Sequence, residues 1–139
     1  MSLTPLFTLP AHIQIHAIAA MLALLLGVVQ IVLPKGTLSH KVIGVMWVVL
    51  MIAVVATSAF IGNKLGPSDP LFGRFGFIHL FTVLGIYSIT MGVLLIVRGG
   101  PSLKGHANSF VGLFVGGLII AGALAFLPGR TLHNVVFGG

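Results

Sequence analysis

Histidine is the residue type that carries whatever chemistry this sequence holds. Six histidines, at positions 12, 16, 40, 79, 106 and 133, stand against a single acid, Asp69, and no cysteine. One carboxylate excludes the mechanisms that need two: glycoside hydrolysis, carboxylate-held Mg²⁺ or Ca²⁺, di-iron carboxylate chemistry and a carboxylate proton relay. The absence of cysteine excludes disulfides, thiolate catalysis, iron–sulfur clusters and thiolate metal sites. Imidazole remains, as a ligand to a metal ion or to haem iron. Four histidines also recur in parallel settings. Ile15-His16 is matched by Ile78-His79, with Gly27-Val28-Val29 and Gly92-Val93-Leu94 following at similar distances. Thr37-Leu38-Ser39-His40 is matched by Ser102-Leu103-Lys104-Gly105-His106, with Gly44 and Gly112 a few residues on.

The elements that must position these histidines are set by composition. Of 139 residues, 58% are hydrophobic and 6% charged, with a mean hydropathy of +1.21. A soluble domain carries about a quarter charged residues, so the solvent here is a bilayer. Four segments, 11–33, 38–61, 75–97 and 103–127, reach the roughly 20 apolar residues that a spanning helix needs. Two connections, Pro34-Lys35-Gly36-Thr37 and Arg98-Gly99-Gly100-Pro101-Ser102, are short and hold the glycine and proline that stop one helix and let the next begin; Thr37 and Ser102 suit N-caps. Such links make antiparallel hairpins. The expected fold is an all-α membrane protein, a single domain over 1–139. It is an antiparallel four-helix transmembrane bundle built from two repeated helical hairpins, with one longer loop at 62–74. The first segment has no basic run before it, no small-x-small site and too long an apolar core for a cleaved leader.

The net charge of +6 comes from scattered cations at the span ends, with no basic run, which points to headgroups and away from nucleic acid. The face with the short links holds Lys35, Lys41, Arg98 and Lys104, and the other holds Lys64, Arg74 and Arg130. That count favours termini outside the cytoplasm.

Heights along the bundle follow from 1.5 Å of rise per residue. His16 lies roughly 25 Å from the first short link and His40 within about 5 Å of it; His79 and His106 repeat the two depths. If the helices run in cyclic order, His16 with His79 and His40 with His106 form two diagonal pairs about 20 Å apart. Diagonal inward histidines at two depths are what a four-helix bundle needs to hold two b haems, each saturated by two imidazoles and suited to electron transfer. Gly27, Gly44, Gly85, Gly92, Gly112, Gly116 and Gly117 offer room for a flat macrocycle. Lys41, Lys104, Arg98 and Arg74 offer charge for its propionates.

Each feature also has a plainer reading. His12, His133 and the link-end histidines can be interfacial residues, glycines three or four apart can be packing faces, and Gly112-x-x-x-Gly116 can be a dimer face. Met21, Met46, Met51 and Met91 read as filler. Trp47 and Tyr87 fall within spans and read as core or cofactor neighbours. Gln30, Thr57, Ser58, Ser88 and Thr90 can bond within their own helices. A competing site joins His12 and His16, four apart, with His79 or His133 around Zn²⁺ or copper.

The layout resembles a bacterial family of small four-span predicted membrane proteins of unknown function. That family is marked by an early histidine, then a Gln, a Lys-Gly and a His-Lys/Arg-x-x-Gly, here His16, Gln30, Lys35-Gly36 and His40-Lys41-Val42-Ile43-Gly44. In histidine layout only, it resembles the ascorbate-reducible transmembrane dihaem b-type cytochromes, whose alternate helices pair histidines around two haems. It lacks their outer helices, and its histidines sit at helix starts. The family brings no activity with it; the histidine layout is what leads to the expectation of an electron carrier rather than an enzyme, in a bacterial inner membrane, with a quinol or a redox protein as partner. The alternative expectation is a cofactor-free accessory subunit, as a homodimer or within a larger membrane complex. A transporter is disfavoured, since the single acid lies in a loop.

Overall fold

The computed structural model describes residues 9–61, 77–126 and His133. Among the described residues the chain is helical without strands, and four helices are long and apolar enough to cross a bilayer. They are α1 (Ala11–Val32), α2 (Leu38–Ser58), α3 (Phe77–Arg98) and α4 (Leu103–Ala125). Helix is the only open-chain way to satisfy every backbone N–H and C=O within hydrocarbon, so four long apolar runs become four helices.

The links form as their residues dictate. Gly36 takes φ 83°, Gly99 φ 64° and Gly100 φ 59°, the left-handed region that ends a helix. Thr37 caps α2, its Oγ1 accepting from the His40 backbone N–H at 3.2 Å. The Lys35 ammonium folds back to the open end of α1 and donates to the carbonyls of Ile31 (2.7 Å), Leu33 (3.3 Å) and Gln30 (3.4 Å). It thereby satisfies acceptors that the helix itself leaves unpaired. In the second link a 3₁₀ turn, Gly100–Ser102, leads into α4; the Ser102 side chain lies outside the described residues.

Two boundaries differ from expectation. α2 ends at Ser58, because Phe60 and Ile61 donate to Thr57 and Ser58, three residues back, and tighten the chain into turns. Hydropathy runs on to Ile61 because it marks what lipid tolerates, not where the backbone bonding changes. α3 begins at Phe77; positions 75 and 127 of the expected spans, and the loop 62–74, lie outside the described residues.

The helices pack in cyclic order: α1 on α2, α2 on α3, α3 on α4, and α4 back on α1. α1 with α3 and α2 with α4 are therefore the diagonals. The core joins Ala23 of α1, Trp47 and Met51 of α2, and Leu113, Phe114 and Leu118 of α4. α4 turns π-helical over Phe114–Ile120. The wider turn brings Leu113, Phe114 and Leu118 all to the buried side.

Trp47 fixes the register of the first hairpin. Its indole N–H donates to the Ala23 carbonyl at 2.9 Å, as a buried indole must find an acceptor. Gly27 makes that approach possible. A Cβ there would stand 2.9 Å from the indole nitrogen and 2.5 Å from the Phe114 ring. Gly27→Ala is therefore expected to destabilise the bundle by about 1–3 kcal/mol. Reversible unfolding in detergent, followed by the fluorescence of Trp47, the single tryptophan, checks this; wild-type stability would show that the contact gives way freely.

Candidate functional site

Each helix turns one stripe inward, and His16, His40, His79 and His106 each stand on such a stripe. On α1, Ala19, Ala23 and Gly27 are buried; His16 lies seven residues before Ala23 and Gln30 seven after, two helical turns either way and on the same face. On α2 the stripe is Trp47, Met51, Val54 and Ser58, and Gly44 and His40 extend it toward the link. On α3, Thr82, Gly85, Ser88 and Gly92 are buried, and His79 lies one turn before Thr82. On α4, His106 lies seven residues before the buried Leu113. All four imidazoles are half-buried.

Counting outward from the Trp47–Ala23 bond, seven residues toward the link bring Gln30 opposite His40, and seven the other way bring His16 opposite Val54. Both meetings are made. The Gln30 amide nitrogen donates to the His40 carbonyl at 2.9 Å and to His40 Nε2 at 3.2 Å. His16 Nδ1 lies 3.0 Å from the Val54 carbonyl and 3.1 Å from Thr57 Oγ1. At 1.5 Å per residue the two sites are about 21 Å apart.

The bonds assign the tautomers. A carbonyl only accepts, so His16 Nδ1 carries the proton and Nε2 holds the lone pair. The Thr57 hydroxyl donates to Ala53 at 2.6 Å, which leaves its oxygen to accept from His16. His106 Nδ1 likewise donates to the Leu103 carbonyl. His40 Nε2 accepts from Gln30, so its proton also sits on Nδ1. All three imidazoles thus carry the nitrogen lone pair at Nε2, where His40's is taken up by Gln30, and in His16 and His106 the opposite nitrogen is anchored on the protein, the usual arrangement behind a metal-ligating imidazole.

At the link end, His40 and His106 stand at one register on diagonal helices, each seven residues before a member of the core cluster, Trp47 and Leu113. An aromatic ladder rises from this end: the His106 ring meets Phe110 edge-on at 6.0 Å, and Phe110 meets Trp47 at 5.6 Å. At the other end, Ser58 Oγ and Thr82 Oγ1 share a buried hydrogen bond of 2.9 Å that ties α2 to α3, one residue on from His16's partner Thr57 and one turn on from His79.

The remaining expected site residues are placed as follows. Over Gly27 lie the Phe114 ring and the Trp47 indole, and over Gly92 the Phe110 ring, which an added Cβ would strike. Lys41, Lys104 and Arg98 are exposed near the link end, with Lys41 on an outward groove beside Val42, Val45 and Met46. Arg74 lies outside the described residues. Tyr87 corrects an expectation: it is 64% exposed, on the outer face of α3, and neighbours no core. Its position within an apolar span says nothing of which way it faces. Among the described residues, no three of His, Cys, Asp or Glu gather to hold one metal ion, so His12 and His16 gain no third ligand from His79 or His133.

Gln30 is the residue that sequence reasoning undervalued. It bonds to α2 rather than within its own helix, over Gly44, where a Cβ would stand 2.9 Å from the amide nitrogen. The signal was present in the grouping of Gln30, Lys35-Gly36 and His40-x-x-x-Gly44: in the structure these residues are one unit, comprising the amide, the cap, the turn, the imidazole and the gap that admits the amide.

The Ser58–Thr82 bond is testable apart from any chemistry. A double-mutant cycle with Ser58→Ala and Thr82→Val should give a coupling of about 0.6 kcal/mol, below about 1.7; zero coupling would place the two hydroxyls with separate partners. Searches of protein-family models, curated proteins and solved structures find no match to this chain.

Proposed function

We propose that this chain is a b-type membrane cytochrome that carries electrons across the bilayer. His16 with His79 and His40 with His106 would hold two haems. The donor is a quinol or a redox protein, and the chain works alone, as a homodimer or within a larger complex in a bacterial inner membrane. The observation that carries the reading is the link-end pair: two imidazoles at one register on diagonal helices, both on the inward stripe.

The donor set suits the group. In His16 and His106 a carbonyl holds the proton on Nδ1, so each neutral imidazole would offer Nε2 to a metal without releasing a proton. A haem held by two imidazoles supplies reversible one-electron chemistry at a saturated iron. The chain's own residues do the rest. Val54, Thr57 and Leu103 orient the imidazoles, and the apolar walls exclude water. The cations at the link end, Lys104, Arg98 and Lys41, balance propionate charge, and Arg74 does so at the other end. Four cations on the link face favour that face as cytoplasmic. The Phe114 and Phe110 rings over Gly27 and Gly92 would have to move aside to make room for a flat macrocycle there.

A second reading rests on those same rings. With Phe110, Phe114 and Trp47 filling the glycine spaces, the bundle packs without a cofactor, as an accessory subunit of a larger membrane complex would.

Visible spectra of the detergent-purified chain, oxidised and dithionite-reduced, with a pyridine haemochrome assay, decide between them. A sharp reduced α-band and about two haems per chain are expected. His16→Ala should remove one haem and keep the link-end one, while His12→Ala should leave the spectrum unchanged. A chain still colourless after expression with added haem precursor overturns the cytochrome and leaves the accessory subunit.

A further inference from the structure

His40 differs from His16 and His106 in one respect: its Nε2 lone pair is engaged by a hydrogen bond, whereas those two imidazoles bond through Nδ1. The orientation of the Gln30 amide is fixed by the His40 carbonyl, 2.9 Å from the amide nitrogen, because only the NH₂ group can donate to it. The second amide hydrogen then falls on His40 Nε2 at 3.2 Å. The other polar atoms of the pair, Gln30 Oε1 and His40 Nδ1, are buried and without a hydrogen-bond partner among the described residues. The pair is therefore half satisfied, and the longer bond is the weaker of the two.

We infer that Gln30 is a latch on His40: its amide occupies Nε2 in the metal-free chain and must give up that one bond, keeping its bond to the backbone carbonyl, before a metal can coordinate there. This rests on the cytochrome reading only for the identity of the metal. The exchange balances simply. One N–H···N hydrogen bond breaks and one metal–nitrogen bond forms, while the imidazole proton stays on Nδ1 and no electron moves. His16 and His106 carry no such latch on Nε2, since their polar bonds are made through Nδ1. Gly44 is part of the device, since a methyl group at that position would meet the amide nitrogen at 2.9 Å. Gln30 is a positioning residue here, acting on the ligand and not on the metal.

Two readouts test the latch. In the haem-free protein, carbethoxylation of His40 by diethyl pyrocarbonate, which attacks the unprotonated ring nitrogen, is followed by mass spectrometry. Gln30→Leu should speed modification of His40 on the order of three- to tenfold, the worth of one hydrogen bond, and leave His106 unchanged. Gly44→Ala, which displaces the amide while keeping Gln30, should act in the same direction and serves if Gln30→Leu does not fold. In the His16→Ala background, where only the link-end pair holds haem, Gln30→Leu should tighten haem binding by a similar factor. Unchanged or slower carbethoxylation in both variants overturns the latch whatever the haem content. A colourless protein with faster carbethoxylation overturns the cytochrome and keeps the latch.

Discussion

The hydrogen bond from the Trp47 indole to the Ala23 carbonyl is the contact on which the rest of the bundle depends. It lies midway along the first hairpin and fixes how α1 slides against α2. Two turns to one side, Gln30 meets His40; two turns to the other, His16 meets Val54 and Thr57. A slip of one residue would rotate each partner by about 100° and break both contacts at once. Gly27 permits the bond because the indole and the Phe114 ring both lie where its side chain would be.

Lipid makes this dependence severe. Between apolar helices in an apolar solvent the hydrophobic effect gives no drive to associate, and packing with a few polar contacts must do so instead. The chain answers with small residues opposite large ones: Gly27 under Phe114, Gly92 under Phe110, Gly85 under Val55. Polar bonds among the described residues, Trp47–Ala23, Gln30–His40, His16–Val54 and Ser58–Thr82, cross between helices. The same contacts that hold the helices together therefore also aim the imidazoles, and stability and site geometry are not separable properties here.

The π-helical stretch of α4 has a place in this scheme. In an α-helix Leu113 and Leu118 would stand about 140° apart around the axis. The wider turn over Phe114–Ile120 presents both to the core with Phe114, and two glycines within it, Gly116 and Gly117, let the backbone take that course beside Leu84 and Met51. The aromatic ladder from His106 through Phe110 to Trp47 starts just below it, so the link-end histidine is connected by ring contacts to the register bond itself.

The four spans, their approximate ends and the two short links were legible in the sequence, because bilayer thickness and hydropathy leave little choice of length or place. The Thr37 cap was legible too, since a hydroxyl before an apolar run has few other uses. The inward direction of each helix was not. Hydrocarbon outside and core inside are equally apolar, so no amphipathic stripe marks the buried face, and Trp47 and Tyr87 read alike although one is 3% exposed and the other 64%. Gln30 could equally have bonded within its own helix, and only the packing of α1 across Gly44 directs it to His40. The sequence by itself determined which four segments are long and apolar enough to cross a membrane and which residue type is available to ligate a metal. Tertiary structure alone decided which faces turn inward, which imidazole nitrogens are held and by what, because in lipid those choices rest on shape and on a handful of polar bonds between helices rather than on hydropathy.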